Sequence, residues 1–197
     1  MKRKSNQSVD LPSVDQIESE IKKLQYKKRY MRTLLSTMTI LIAVAAAAVL
    51  AATLWFPVLR IYGDSMTPTL NKGEIVVSLK GSAYGRGDVV SLWYGNKLLV
   101  KRVIAGPGEW VDIDDEGNVF VDGQLLDEPY ITEKALGDCN IELPYQVGDD
   151  RYFVMGDHRS TSSDSRNTAV GCIAEEQIIG KIIFRLWPLA DFGTVDR

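Results

Sequence analysis

Leu34 to Phe56 is a run of 23 residues with no charged side chain, and its polar groups are Ser36, Thr37, Thr39 and Thr53. At about 1.5 Å rise per residue a helix of this length spans roughly 35 Å, enough for the ~30 Å hydrocarbon core of a bilayer. A cleavable leader has a shorter apolar core that starts nearer the terminus. The run therefore predicts an uncleaved transmembrane helix over residues 33–56. Trp55 and Phe56 suit the far interface, and Pro57 ends the helix. Plain lipid-facing helix is the simplest account of the small-residue stretch Ala45–Ala48.

Charge is divided by this segment. Residues 1–32 carry nine Lys/Arg against four Asp/Glu, whereas residues 57–197 carry fourteen against twenty-two. A Lys/Arg excess on the N-terminal side predicts a cytoplasmic N-terminus and an extracytoplasmic remainder. The acidic balance of residues 57–197 gives no electrostatic case for nucleic-acid binding. Residues 1–20 are polar without an apolar stripe and read as poorly ordered. From about Val14 to Arg32 the pattern becomes helical and basic, the positive flank of the membrane segment. Three divisions follow: a cytoplasmic basic segment (1–32), a transmembrane helix (33–56) and an extracytoplasmic domain (57–197). About 140 residues suffice for one core.

That domain reads as mainly β. Glu74–Leu79, Asp88–Trp93, Leu98–Ile104, Trp110–Ile113, Val119–Val121 and Arg151–Met155 are short β-branched or aromatic runs punctuated by Gly, Asn, Asp and Pro. Glu116-Gly117-Asn118 and Asp122-Gly123 are hairpin turn signals. Ala174–Ile179 suits a short helical turn, Ile178–Trp187 contains the last strand, and no long helix follows residue 57. Of the two cysteines, Cys139 and Cys172, neither has a CxxC partner, and His158 is the sole histidine, so no zinc ligand set exists. A disulfide and two free thiols both remain open.

Three segments bear on chemistry, and each has an undemanding reading. Ser65 lies in Gly63-Asp-Ser-Met-Thr-Pro-Thr-Leu70, a turn, where serine is common on structural grounds alone. A serine nucleophile needs a base. His158 sits in a polar loop that reads as solvated, with nothing nearby to orient it as a triad requires. Lys101 lies within an apolar strand, on the face of Leu99 and Val103 by period two. Taken alone it reads as a lysine snorkelling to water. Carried into a desolvated face, it would instead have a lowered pKa and could accept a proton from Ser65. Gly156 to Arg166 is dense in hydroxyls and carboxylates. It reads either as a polar surface loop or as the segment that positions the amine and braces the site.

Together, and in this order, the segments resemble the type I signal peptidase family, membrane-bound serine proteases with a Ser–Lys dyad. The resemblance is carried by Gly63–Leu70, Arg86-Gly-Asp-Val-Val90, Val100-Lys-Arg-Val-Ile-Ala-Gly-Pro-Gly-Glu109, and Gly156-Asp157 through Asp164-Ser-Arg166. It runs from the basic flank to about Trp187-Pro188. The short length and single anchor are similar to the Gram-positive form.

The resemblance implies Ser65 as nucleophile and Lys101 as general base. It implies that Ser162 hydrogen-bonds the lysine amine, that Asp164 and Arg166 form a bracing pair, and that Asp157 supports the loop. Ile61, Met66, Leu70 and Val100 match positions lining shallow pockets for the small residues of an Ala-x-Ala cleavage site. The implied partners are signal peptides of exported preproteins and the bilayer, with no cofactor or metal and a monomer as the default. Two positions depart from the pattern. Some members carry a Ser two residues before the nucleophile and use its hydroxyl in the oxyanion hole, where this chain has Gly63. His158 stands where Asn is usual, and is read as structural. Two rival readings remain: an outer β domain that binds a partner without catalysis, and a peptidase specialised for one substrate. A self-cleaving repressor is disfavoured, because residues 1–32 do not resemble a DNA-binding segment.

Overall fold

The structure, a computed structural model, describes residues 13–81 and 84–195. The chain divides after Leu50 into two compact units. The first belongs to helix α1, Val14–Trp55, which has 42 residues and no buried side chain. It is the one helix among the described residues long and apolar enough to cross a membrane. The helical pattern read from Val14 and the apolar run are one continuous helix, about 63 Å at 1.5 Å per residue. Residues 14–20, read as poorly ordered, form its first turns. Asp15 in the first turn favours the helix dipole, and Ser13 and Gln16 hydrogen-bond each other across that turn. The same expectation for residues 1–12 lies outside the described residues.

The second unit is β-rich, as its β-branched runs require. Its strands are β1 (Val58–Arg60), β2 (Ile75–Leu79), β3 (Val89–Tyr94), β4 (Lys97–Ala105), β5 (Trp110–Ile113), β6 (Val119–Val121), β7 (Gln124–Leu125), β8 (Tyr145–Gln146), β9 (Arg151–Met155), β10 (Ile173–Ala174), β11 (Ile178–Trp187) and β12 (Gly193–Thr194). Eight form one antiparallel sheet, β1-β2-β11-β3-β4-β9-β10, with β12 added to β11. Four form a second sheet, β7-β6-β5-β8. Asp122 and Gly123, at φ 52° and 75°, make the tight β6–β7 turn, where both central residues need positive φ. A single 3₁₀ turn occupies Glu175–Gln177, within the segment read as a helical turn. β12 follows β11, so Ile178–Trp187 is not the last strand. Two-residue strands such as β12 are too short to show alternation.

The core falls into contiguous clusters. Ile104, Phe153 and Met155 pack with Val111, Ile113, Val119 and Val121 of the second sheet. Val90, Leu92, Val103 and Val154 fill another cluster. Ile61, Met66, Leu70, Val76, Val89 and Ile182 form a third, beneath the turn that follows β1. Cys172 is buried in the first cluster and Cys139 is half-buried; both are free thiols.

Candidate active site

Ser65 stands on a turn closed by backbone hydrogen bonds from Thr67 N–H to Asp64 O (3.2 Å) and from Leu70 N–H to Met66 O (2.8 Å). Met66 and Leu70 are buried and anchor the turn in the core, leaving Ser65 half-buried at a groove of about 650 Å³. The groove runs between residues 58–63 and the start of β4, with Ile61, Met66, Leu98, Leu99 and Val100 in its walls. Of the four positions expected to line substrate pockets, Ile61, Met66 and Val100 stand in the walls of this groove. Leu70 does not. At 0% exposure it packs in the core with Met66, because the closed turn directs it inward.

Lys101 projects from the middle of β4 and is 3% exposed. Its Nζ donates to Ser162 Oγ at 2.8 Å. Burial, the largest influence, lowers its pKa from the ordinary 10.5 to about 8; Asp164 and Asp157 oppose that change and Arg166 adds to it. An amine so poised is neutral in an appreciable fraction of molecules near neutral pH, and can take a proton from a hydroxyl brought to it.

Gly156, just after β9, joins the serine and lysine sides. A Cβ there would overlap Ser162 Oγ and lie 2.5 Å from Ser65 O. Only a residue without a side chain lets the Ser65 turn and Ser162 approach this closely. The contact is reinforced by His158 N–H donating to Ser65 O at 3.1 Å. The His158 ring, 3.2 Å from Thr67 Oγ1, is occupied within this packing.

The loop that delivers Ser162 is braced by buried ion pairs. Arg166 donates to both carboxylate oxygens of Asp164 at 2.9 Å, and neither side chain is exposed. Burial alone would raise the Asp164 pKa, but the Arg166 hydrogen bonds and charge and the Gly156 N–H outweigh it and hold the carboxyl below its usual range. Asp157 receives two hydrogen bonds from Arg102, 2.9 and 2.7 Å, and one from Thr69 Oγ1, 2.5 Å. Three participants escaped the sequence reading. Arg102 lies 3.8 Å from the ring centroid of Tyr130 and donates to Gly87 O at 2.7 Å. Glu128 and Arg159 form a third buried pair. The one available signal was Arg102 inside an apolar run beside Lys101; Glu128 and Arg159 sit in segments that look like surface loop.

Residues 31–187 match the family described as signal peptidase, peptidase S26. Signal peptidase IB of Staphylococcus aureus (strain COL) is 38% identical over 154 residues, covering 67% of this chain and 78% of that protein. Signal peptidase I of Bacillus licheniformis is 35% identical over 173 residues, covering 80% and 90%. The crystal structure of a signal peptidase I from Enterococcus faecalis V583 superposes with a TM-score of 0.42 at 24% identity, covering 51% of this chain and 97% of that one. The extent of the family match and these identities mean that the chain belongs to the signal peptidase family, the S26 peptidases, and is a serine protease of that family.

Proposed function

We propose that this chain is a membrane-anchored monomer that removes N-terminal signal peptides from exported preproteins, cleaving after small residues at Ala-x-Ala sites. Ser65 is the nucleophile and Lys101 the general base. The observation that carries this reading is the buried Lys101 amine, with a pKa near 8, hydrogen-bonded to Ser162 where Gly156 packs against the Ser65 turn.

Ser65 Oγ attacks the scissile carbonyl while Lys101 Nζ accepts its proton. Collapse of the tetrahedral adduct breaks the peptide bond, and the lysine ammonium returns the proton to the departing amine. Water then attacks the ester carbonyl of the acyl-enzyme, giving its proton to Lys101, and Ser65 leaves as the hydroxyl. The Ser65 N–H serves the oxyanion, since Gly63 offers no hydroxyl. Ser162 aims the amine, the Asp164–Arg166 pair braces the loop, and Asp157 ties that loop to β4. Ile61, Met66 and Val100 shape apolar walls that suit small side chains, with Leu70 supporting Met66 from behind.

Residues 33–56 cross the bilayer, residues 1–32 are cytoplasmic and residues 57–197 lie outside. An apolar helix with no buried residue needs a non-aqueous solvent, and the Lys/Arg excess precedes it. The test is cleavage of a preprotein bearing an Ala-x-Ala site by detergent-solubilised protein. Wild type cleaves at that site, and Ser65→Ala and Lys101→Ala each abolish cleavage. Activity surviving in Lys101→Ala would sink the dyad. A well-folded wild type that cuts no general preprotein points to a specialised substrate.

A further inference from the structure

The turn that presents Ser65 is held from two directions through one residue, Thr69. Its hydroxyl donates to Asp157 Oδ2 at 2.5 Å and accepts from Arg102 Nη2 at 3.2 Å. Arg102 follows Lys101 on β4, and successive strand residues point to opposite faces. Lys101 accordingly reaches Ser162 on one side while Arg102 reaches Asp157 and Thr69 on the other. This ties the turn to the strand that carries the lysine.

The second hold comes from β11. Arg185, opposite Val76 of β2 and Gly193 of β12, donates from Nη2 to the Thr69 carbonyl at 2.5 Å. Its Nε lies 3.0 Å from Glu74 Oε2, and the two side chains are 17% and 4% exposed. The other Glu74 oxygen accepts from Asn71 Nδ2 at 3.1 Å, so the carboxylate is fixed from the chain that leaves the turn. Asp191 reaches only to 4.0 Å of Arg185 Nη1 and is itself exposed. Arg185 thus joins one wall of a cleft of about 680 Å³, behind Pro68 and Thr69, to the end of the Ser65 turn. A charge-assisted hydrogen bond to a backbone carbonyl holds the main chain whatever side chain stands at residue 69.

We infer that Arg185 is a positioning residue for the nucleophile, its Glu74-braced guanidinium holding the Thr69 carbonyl so that the turn keeps Ser65 in register with Lys101. The inference rests on the reading of Ser65 as nucleophile. It predicts an effect on the chemical step and not on binding, because Arg185 lines a different cleft from the one that contains Ser65. It also predicts that the Lys101 titration stays put, since burial, Asp164, Arg166 and Asp157 govern that amine, whereas Arg185 is paired with Glu74 and bonded to the Thr69 carbonyl.

The experiment uses the full chain in detergent with the Ala-x-Ala preprotein, comparing wild type, Ser65→Ala, Arg185→Met and Arg185→Lys well below their unfolding temperatures. Arg185→Met lowers kcat by about 10- to 100-fold, the scale of a small misplacement of a reacting group. KM stays within about twofold and the pH at half-maximal kcat is unchanged. Arg185→Lys, which keeps a cationic donor but loses the planar fork, recovers part of the loss. Should Arg185→Met not fold, Arg185→Lys alone decides: folded and below wild type in kcat supports the inference. Unchanged kcat in every folded Arg185 variant overturns it, as does a loss confined to KM or a displaced pH profile. Cleavage that persists in Ser65→Ala overturns the dyad and this inference with it, whereas Ser65-dependent cleavage that is indifferent to residue 185 overturns the inference alone.

Discussion

Replacing Lys101 by methionine removes the proposed base and is expected to make the protein more stable. The folded state holds Lys101 at a pKa of about 8 where the unfolded chain has about 10.5. At about 1.4 kcal/mol per unit, protonation of the amine at pH 7 costs the folded state about 3 kcal/mol. The side chain is 3% exposed, so solvent screening reduces this little. Methionine fills nearly the same volume and carries no charge. It forfeits the hydrogen bond to Ser162, about 1 kcal/mol. The net expectation for Lys101→Met at pH 7 is a gain of about 2 kcal/mol, or roughly 4–8 °C in Tm for a domain of this size. The sign of the pH dependence follows from the direction of the shift. Between the folded and unfolded pKa values the unfolded chain binds more protons, so wild-type stability rises from about pH 8 to 10.5. The advantage of Lys101→Met should therefore be full below pH 8 and shrink above it. Thermal unfolding of both proteins in the same detergent at pH 7, 8.5 and 10 measures this, with preprotein cleavage lost in the variant throughout. A variant less stable than wild type at pH 7, or a Tm difference that does not change with pH, refutes a desolvated ammonium at this site.

Other expectations rest on separate features. Wild-type kcat should rise about tenfold per pH unit below pH 8 and level off above it, as the proposed Lys101 base loses its proton, which a cleavage profile between about pH 6 and 10 would reveal. Gly156→Ala forces apart the Ser65 carbonyl and Ser162, since its Cβ would sit 2.5 Å from the former. Cleavage should fall about 100-fold or more, and wild-type activity in a folded variant would refute the packing. At Gly63 a Cβ meets nothing within 4 Å, so Gly63→Ser should fold normally. With a hydroxyl two residues before the proposed nucleophile it should raise kcat by up to about tenfold at constant KM, part of what a full oxyanion donor supplies. A lowered kcat would mean that the added side chain obstructs the groove.

Local pattern carried most of the fold. Trp110–Ile113, Val119–Val121 and Arg151–Met155 occupy the residues their β-branched runs indicated, because side-chain type and turn punctuation act within a few residues. The groups around Lys101 were legible only through resemblance. Alternation says that Lys101 enters an apolar face, but it cannot say that Ser162, 61 residues away, meets the amine. Arg102, Glu128 and Arg159 were missed for a related reason. A charged residue, in a loop or on a strand, looks solvated unless its partner is known; Arg102 and Asp157 are 55 residues apart, and Glu128 and Arg159 are 31. The resemblance alone puts Leu70 at a substrate pocket, and matched positions do not distinguish a groove wall from the core layer behind it, where Leu70 packs with Met66.

Those buried pairs explain how the lysine can be so strongly shifted. Water must be kept from Lys101 for burial to lower its pKa, and the same low dielectric makes any unpaired neighbouring charge expensive. Asp157, Glu128 and Asp164 are matched by Arg102, Arg159 and Arg166, each pair essentially unexposed. Matching also confines their fields. Asp164 and Arg166 act on the lysine in opposite directions, and desolvation remains the largest influence. An unpaired carboxylate at residue 164 would stabilise the ammonium and return the pKa toward its ordinary value. Arg166→Met should accordingly push the midpoint of the cleavage profile to higher pH in whatever fraction folds. Asp164→Asn, which leaves the guanidinium unbalanced, should move it to lower pH. Opposite displacements of the two midpoints would follow from charge, whereas displacement in the same direction would indicate that loosening of the loop, and not its electrostatics, governs the lysine.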